Sequence, residues 1–328
     1  VALHQEFRTD IEDEQEGKVF GKVMMFAIAY SASIGGTATL IGTPTNLIFT
    51  NAANQLAYEE VSFSSWLLFA LPIAAIMILI CYFYLTRILI NIKDISAQGV
   101  SDKIAQHKEE LGKITYEEKC VFIVFTLTSF FWITRTFIWQ DLIPGISDAV
   151  IALVGATVLF AIPAKSGKSQ LLDWPAMKKL PWDILLLFGG GVAIATGFTE
   201  TGLASWLGSQ FDHLGGTSVL IILLILIASI NFLTEITSNV ATAAIFMPVM
   251  IALSTSLDLH PYLLMTAVSM NASYAIMLPV ATPPNAVVFG SGLISIKEMA
   301  KAGFGMNVIS IVILTLAHYY FLPWVWGL

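Results

Sequence analysis

Three short stretches gather the side chains best suited to chemistry. They are Gly42-Thr43-Pro44-Thr45-Asn46, Thr234-Glu235-Ile236-Thr237-Ser238-Asn239-Val240-Ala241-Thr242 and Ala281-Thr282-Pro283-Pro284-Asn285. Each interrupts an apolar run. Inside a bilayer an unpaired backbone group costs several kcal/mol, so a broken helix persists only where protein, water or ligand satisfies it. The freed groups are useful: helix N-termini offer N–H donors and partial positive charge, which suits carboxylates. Unwound carbonyls and Ser, Thr and Asn oxygens suit a hard cation. Ser238, Asn239, Thr242, Thr282 and Asn285 form such a set, and so do Thr43, Thr45 and Asn46.

What is missing matters equally. No Lys or Arg occurs between Lys179 and Lys297. A multivalent anion held in this half has no cationic side chain to meet, and helix dipoles supply only about half a charge each. The remaining compensation must come from bound cations, or from a cationic residue elsewhere. This favours cation-coupled anion uptake over simple anion binding.

Other residues offer weaker chemistry. Glu235 is the one acid between Asp212 and Asp258. It either takes a proton or anchors the turn through backbone N–H groups, and the anchoring role is preferred. Arg135 near the end of an apolar run is expected to snorkel to the interface. Asp148 and Asp183 are expected to cap helices. Gly189-Gly190-Gly191 lacks the Lys-Ser/Thr of a phosphate loop and reads as close helix packing. The five histidines (His4, His107, His213, His260 and His318) are scattered, so sodium is the only metal expected and no transition metal or organic cofactor. Cys81 and Cys120 read as buried small hydrophobes. An enzyme needs a nucleophile with a base, or a metal cluster. The sequence shows no such Ser–His spacing, no paired intramembrane Asp and no His-Glu-x-x-His. A channel has no need of paired breaks with carboxylate-type donors.

Of the 328 residues, 56% are hydrophobic and only 12% charged, against about 25% charged in a soluble domain. The formal charge of −7 argues against nucleic acid as a partner. Apolar segments fall at Val19–Ile34, Trp66–Leu85, Val121–Ile138, Ala149–Ile162, Ile184–Phe198, Val219–Leu233, Val240–Leu253, Tyr262–Leu278 and Val308–Trp326. The first is expected to break at Gly35-Gly36 and again at Gly42–Asn46, the eighth at Pro279–Asn285. Asp94–Lys119 reads as a charged, amphipathic connector, and 165–182 as a second basic one. The positive-inside rule puts both, with Lys297 and Lys301, on the cytoplasmic side, and the C-terminus outside. Trp182, Trp206, Trp324 and Trp326 lie near segment ends, as interfacial anchors or packing residues do. Residues 1–18 read as an acidic, solvated loop, so the expectation is that the chain lacks an N-terminal part.

The first and third stretches resemble one another. Ala32-Ser33 precedes Ile41-Gly42-Thr43-Pro44-Thr45-Asn46, as Ala272-Ser273 precedes Val280-Ala281-Thr282-Pro283-Pro284-Asn285. A polar stretch and a full span follow each. Interrupted helices in corresponding halves point to an inverted-repeat transporter. Asn239 precedes Asn285 by 46 positions, and the same offset from Asn46 reaches the start of the chain. The counterpart of the middle stretch is therefore expected upstream.

Taken together, Thr237-Ser238-Asn239-Val240-Ala241-Thr242 with Met247-Pro248, Gly42–Asn46 and Ala281–Asn285 resemble the divalent-anion/sodium symporter family, the sodium-coupled di- and tricarboxylate transporters. The resemblance covers essentially the whole chain. It implies an all-α integral membrane fold with discontinuous helices and re-entrant hairpins. It further implies a homodimer whose protomers each carry a scaffold and a mobile transport domain working as an elevator. On that pattern 19–56 and 183–296 belong to the transport domain, 57–182 mainly to the scaffold, and 297–328 to a C-terminal span. Ser238 and Asn239 match the second Ser-Asn-Thr motif, which holds a substrate carboxylate; Val240 replaces its Thr and removes one hydroxyl. Thr282 and Pro283, and their repeat partners Thr43 and Pro44, match loops beside the substrate. Gly42 matches a ligand of the first sodium, whose site is otherwise incomplete here. Thr234, Thr237, Asn239 and Ala281 match the second sodium site. The implied activity is sodium-driven import of small carboxylates of the succinate, malate, fumarate or citrate type across the plasma (inner) membrane. The alternative is a proton-coupled or uncoupled anion carrier or exchanger of the same fold.

Overall fold

The computed structural model describes residues 14–54, 56, 58, 60–89, 108–109, 111–165, 170–180, 182–203, 206 and 216–328. Residues 1–13, Lys168, Asp212, His4, His107, His213 and most of the 94–119 connector lie outside the described residues, as does the capping role expected of Asp183. The described chain is helical, with one isolated bridge between Pro163 and Gln170 and no strand. Among the described residues, five helices are long and apolar enough to cross a membrane: Val19–Thr37, Phe63–Leu89, Tyr116–Leu142, Asn239–Ser256 and Ile296–Trp326.

The chain divides into two compact units. The first contains 1–61, 66–96 and 184–328. It opens with α1 (Glu14–Thr37) and, after a break, α2 (Pro44–Ala53). Then comes α3 (Phe63–Phe83), whose first turn belongs to the second unit and whose end widens over Tyr84–Leu89. The second unit holds α4 (Tyr116–Thr134), which widens over Arg135–Trp139, and α5 (Asp148–Ala161). The chain continues with α6 (Trp182–Glu200), α7 (Val219–Thr234), α8 (Asn239–Ser256), α9 (Pro261–Asn271) and α10 (Pro283–Phe289). It ends with α11 (Ile296–Leu316), extended by a wide turn and Leu322–Trp326.

Local chemistry sets these boundaries. Thr43 and Thr282 sit at helix N-caps in nearly the same extended conformation, φ −136°, ψ 150° and φ −141°, ψ 153°. Each is followed by a proline at the first helical position, where the missing N–H costs nothing and φ is preset. Ser295 and Glu298 close a reciprocal capping box at the start of α11, as Thr115 and Glu118 do for α4.

Packing in the first unit is crossed. The short arm α2 packs on α8 and α9, while the short arm α10 packs on α1. Each broken helix thus lays its second arm on the first arm of the other. Trp326 reaches back to stack near Phe49, with ring centroids 6.3 Å apart, and lies 5.7 Å from Phe69. It packs against both rings.

Several expectations are corrected. Gly35-Gly36 does not break α1, which runs on to Thr37; a helical glycine costs only about 1 kcal/mol. The second broken helix stops at Asn271, well before Pro279. Among the described residues a Cβ on Gly189 or Gly190 would meet nothing within 4 Å, so no close approach is found at these two. Arg135 does not snorkel. It is 2% exposed, and its Nε donates to Asp148 Oδ1 at 2.7 Å. Asp148 is accordingly not the cap of α5; Ser147 accepts from the Val150 N–H, and Asp148 Oδ2 takes the Phe63 N–H at 2.9 Å. Trp132 adds its indole N–H to the Asp148 carbonyl and stacks on Phe63. This knot ties the starts of α3 and α5 to the end of α4. Arg135→Leu removes a buried charge partner, a change that costs about 3–5 kcal/mol when both groups are fully buried. With the Asp148 side chain 22% exposed, about 2–3 kcal/mol is expected. A lowered thermal midpoint checks it; an unchanged melt would mean that the pair carries no stability.

Candidate functional site

The candidate site is built around the breaks at 38–43, 235–238 and 272–282 in the first unit. Side chains from other elements satisfy several backbone groups of the longest. At its entry, the Ala272 carbonyl lies 3.1 Å from Thr234 Oγ1, and the Tyr274 carbonyl accepts from Asn231 Nδ2 at 3.3 Å. At its exit, Asn285 Nδ2 donates to the carbonyls of Ala275 (3.1 Å) and Leu278 (3.0 Å). In the middle, the N–H groups of Ile276, Met277 and Leu278 all converge on the Glu235 carboxylate at 2.8–3.1 Å. Asn307 Nδ2 of α11 adds a further contact at 2.8 Å. Glu235 is buried and accepts from four protein donors. This is the anchoring role, with the anchored backbone lying on another loop rather than on its own turn.

The first break is built on the same plan. Asn46 Nδ2 donates to the Thr39 carbonyl at 2.9 Å, seven residues back, as Asn285 does to Leu278. Both asparagines are fully buried. Asn46 Oδ1 accepts from Ser269 of α9 at 3.1 Å, whereas Asn285 Oδ1 is buried with no partner among the described residues. A Cβ on Gly42 would lie 2.1 Å from the Gly36 carbonyl oxygen, so the loop folds back onto α1 more closely than any side chain permits.

The structure brings some of the expected site residues together. Thr43 Oγ1 and Thr45 Oγ1 are 2.8 Å apart, Thr45 and Ser273 Oγ 2.8 Å, and Ser273 and Thr43 3.2 Å. These hydroxyls close a triangle that joins the first break to the second broken helix. Asn239 Oδ1 accepts from Thr234 Oγ1 at 2.6 Å, and Thr237 Oγ1 lies 2.7 Å from Thr242 Oγ1. Ser238 caps α8 by accepting the Ala241 N–H at 3.4 Å and is exposed, while Asn239 and Val240 are half-buried. Thr282 caps α10 and is buried together with Ala281; Pro44 is half-buried and Pro283 exposed. No hydrogen bond joins Ser238 to Thr43 or Thr282 among the described residues.

No group of three or more His, Cys, Asp or Glu that could hold a metal occurs among the described residues. The oxygen-rich breaks instead offer hydroxyl, amide and carbonyl donors, the chemistry of a hard monovalent cation. A separate cavity of about 420 Å³ between α4 and α5 is lined by apolar side chains such as Leu127, Phe131 and Val154 and by no charged one.

All 328 residues match the family described as the sodium:sulfate symporter transmembrane region. The chain belongs to the sodium:sulfate symporter family. It is 43% identical over 313 residues to the sodium-dependent dicarboxylate transporter SdcS of Staphylococcus saprophyticus. It is 42% identical over the same length to the SdcS of Staphylococcus aureus. Each match covers 94% of this chain and 60% of the relative, so the chain spans about 60% of the length of these curated relatives.

In this sodium:sulfate symporter family member, sequence reasoning missed several residues of the site. Ser269 and Ser273 were legible only as part of an apolar helix and a repeat. Asn307 lies 72 positions from the Glu235 carboxylate it contacts, and nothing local marks it. Gly303 of α11 approaches the unwound chain closely, since its Cβ would lie 2.5 Å from the Ile276 carbonyl oxygen. A helix with several small residues (Ala300, Ala302, Gly303 and Gly305) gives no signal of which one makes the approach.

Proposed function

We propose that this protein is a secondary active transporter that imports small di- or tricarboxylates coupled to sodium. The observation that carries the reading is the set of breaks in an apolar bundle, lined by hydroxyls and amides, with no Lys or Arg between Lys179 and Lys297. An anion bound there needs mobile cations for compensation. Ser238, Asn239, Val240, Thr43, Pro44, Thr282 and Pro283 are the proposed carboxylate contacts. Gly42, Thr234, Thr237, Asn239 and Ala281 are the proposed sodium ligands. The names of the staphylococcal relatives agree with this chemistry.

The matched Asn46 and Asn285 geometries and the crossed arms support an inverted repeat. On that basis residues 19–56 and 183–296 form the moving transport domain of an elevator, and 57–182 mainly its scaffold, with 297–328 a C-terminal span. We take the assembly to be a homodimer in the plasma (inner) membrane, with its C-terminus outside. The proton-coupled alternative would use Glu235. Its carboxylate is already engaged by three backbone amides and Asn307, which favours the sodium reading.

Uptake of labelled succinate or citrate into liposomes tests the proposal. Uptake is expected under an inward sodium gradient and should be lost when potassium or choline replaces sodium. Sodium-independent uptake would sustain the alternative, and inertness toward every di- and tricarboxylate would sink both.

A further inference from the structure

Glu235 lies between the two halves of the proposed cation site. Thr234 and Asn239 bracket its turn, and their side chains bond each other at 2.6 Å. Ala281 lies three residues beyond Leu278, on the far side of the unwound stretch. Two stitches hold turn and stretch together. Thr234 meets the Ala272 carbonyl at one end, and the Glu235 carboxylate takes three successive N–H groups, 276 to 278, nearer the other. Successive amides facing one anion form a concave donor nest that fixes the local backbone. Gly303 leaves room for that backbone against α11, and Asn307 steadies the carboxylate from the same helix. Among the described residues the Glu235 side chain is buried and both its oxygens are taken by these donors.

We infer that Glu235 is a positioning residue for cation binding: its carboxylate clamps the 276–278 backbone to the 235–238 turn, so that Thr234 and Asn239 on one side and Ala281 on the other form one ion site. The inference rests on the assignment of those residues as sodium ligands in the preceding subsection. It assigns Glu235 neither to proton transfer nor to direct ligation.

Glu235→Gln keeps the volume but turns one acceptor oxygen into an N–H2 group facing the same amides. In proteoliposomes of the protein as its gene encodes it, the sodium concentration for half-maximal uptake should rise about tenfold, the equivalent of one charge-assisted hydrogen bond. Maximal uptake at saturating sodium should stay close to wild type, and amide exchange at 276–278 should quicken. Asn307→Ala removes one contact and leaves the backbone donors served, so half-saturation should rise less, about threefold. A Glu235→Gln protein with wild-type half-saturation and wild-type exchange overturns the inference. So does one whose maximal uptake alone falls, the mark of lost folded protein. If Glu235→Gln does not fold, Asn307→Ala decides, and an unshifted half-saturation counts against the clamp. If the wild type shows no sodium-dependent uptake, the transport reading has failed instead. Exchange at 276–278 in Glu235→Gln then decides the clamp, faster exchange supporting it and unchanged exchange refuting it.

Discussion

Replacing Asn239 by alanine is expected to abolish sodium-driven carboxylate uptake. Asn239 opens α8, where the helix N-terminus presents its free N–H groups, and its side chain accepts from Thr234 across the 235–238 turn. It belongs to both proposed sets, carboxylate and sodium. Removing its amide deletes an ion ligand, a substrate donor and the acceptor of the Thr234 hydroxyl together. At about 1.5–3 kcal/mol for each hydrogen bond to a charged partner, two such losses lower uptake by about a hundredfold or more. Initial rates at several sodium concentrations, normalised to inserted protein, provide the measurement. Wild-type rates from Asn239→Ala would refute the site assignment.

A single methyl group on Gly303 should be nearly as damaging without touching any proposed ligand. The new Cβ would lie 2.5 Å from the Ile276 carbonyl oxygen, 2.6 Å from Met277 Cα and 2.8 Å from the Ile276 carbonyl carbon. All three are backbone atoms, so no side chain can swing aside. The unwound stretch must withdraw from α11, and the Glu235 contacts to 276–278 go with it. Overpacking of this kind costs about 1–3 kcal/mol, and the severed charge-assisted bonds add to it. Gly303→Ala should therefore lower the thermal midpoint by several degrees and nearly eliminate uptake. Gly35→Ala is the control. A Cβ there meets nothing within 4 Å, and α1 should tolerate or gain from it. Equal melts for the two variants would show that the Gly303 approach is not structural.

The breaks were legible because proline and threonine announce themselves locally. Thr43-Pro44 and Thr282-Pro283 fix an extended cap and a first helical residue by their own stereochemistry, and the structure starts α2 and α10 there. The start of the long break was not legible. Ala272–Leu278 is apolar enough to continue α9, yet its amides are claimed by a carboxylate about forty positions upstream, which no hydropathy window reports. Arg135 misled for the same reason: its partner Asp148 follows 13 residues later, across a turn. The triangle of Thr43, Thr45 and Ser273 joins segments about 230 residues apart, so composition can suggest hydroxyls but not that they meet.

That triangle imposes an arithmetic of protons. Three hydroxyls own three hydrogens, and a closed circuit uses every one of them on its own edges. What it turns outward is lone pairs alone. In that state the trio acts as a small Lewis base toward a cation and has nothing to donate to an anion. Thr43 gains a free hydrogen for a carboxylate only when an edge opens. The 3.2 Å Ser273–Thr43 edge is the longest of the three, and an ordinary hydrogen bond sets the toll at about 1 kcal/mol.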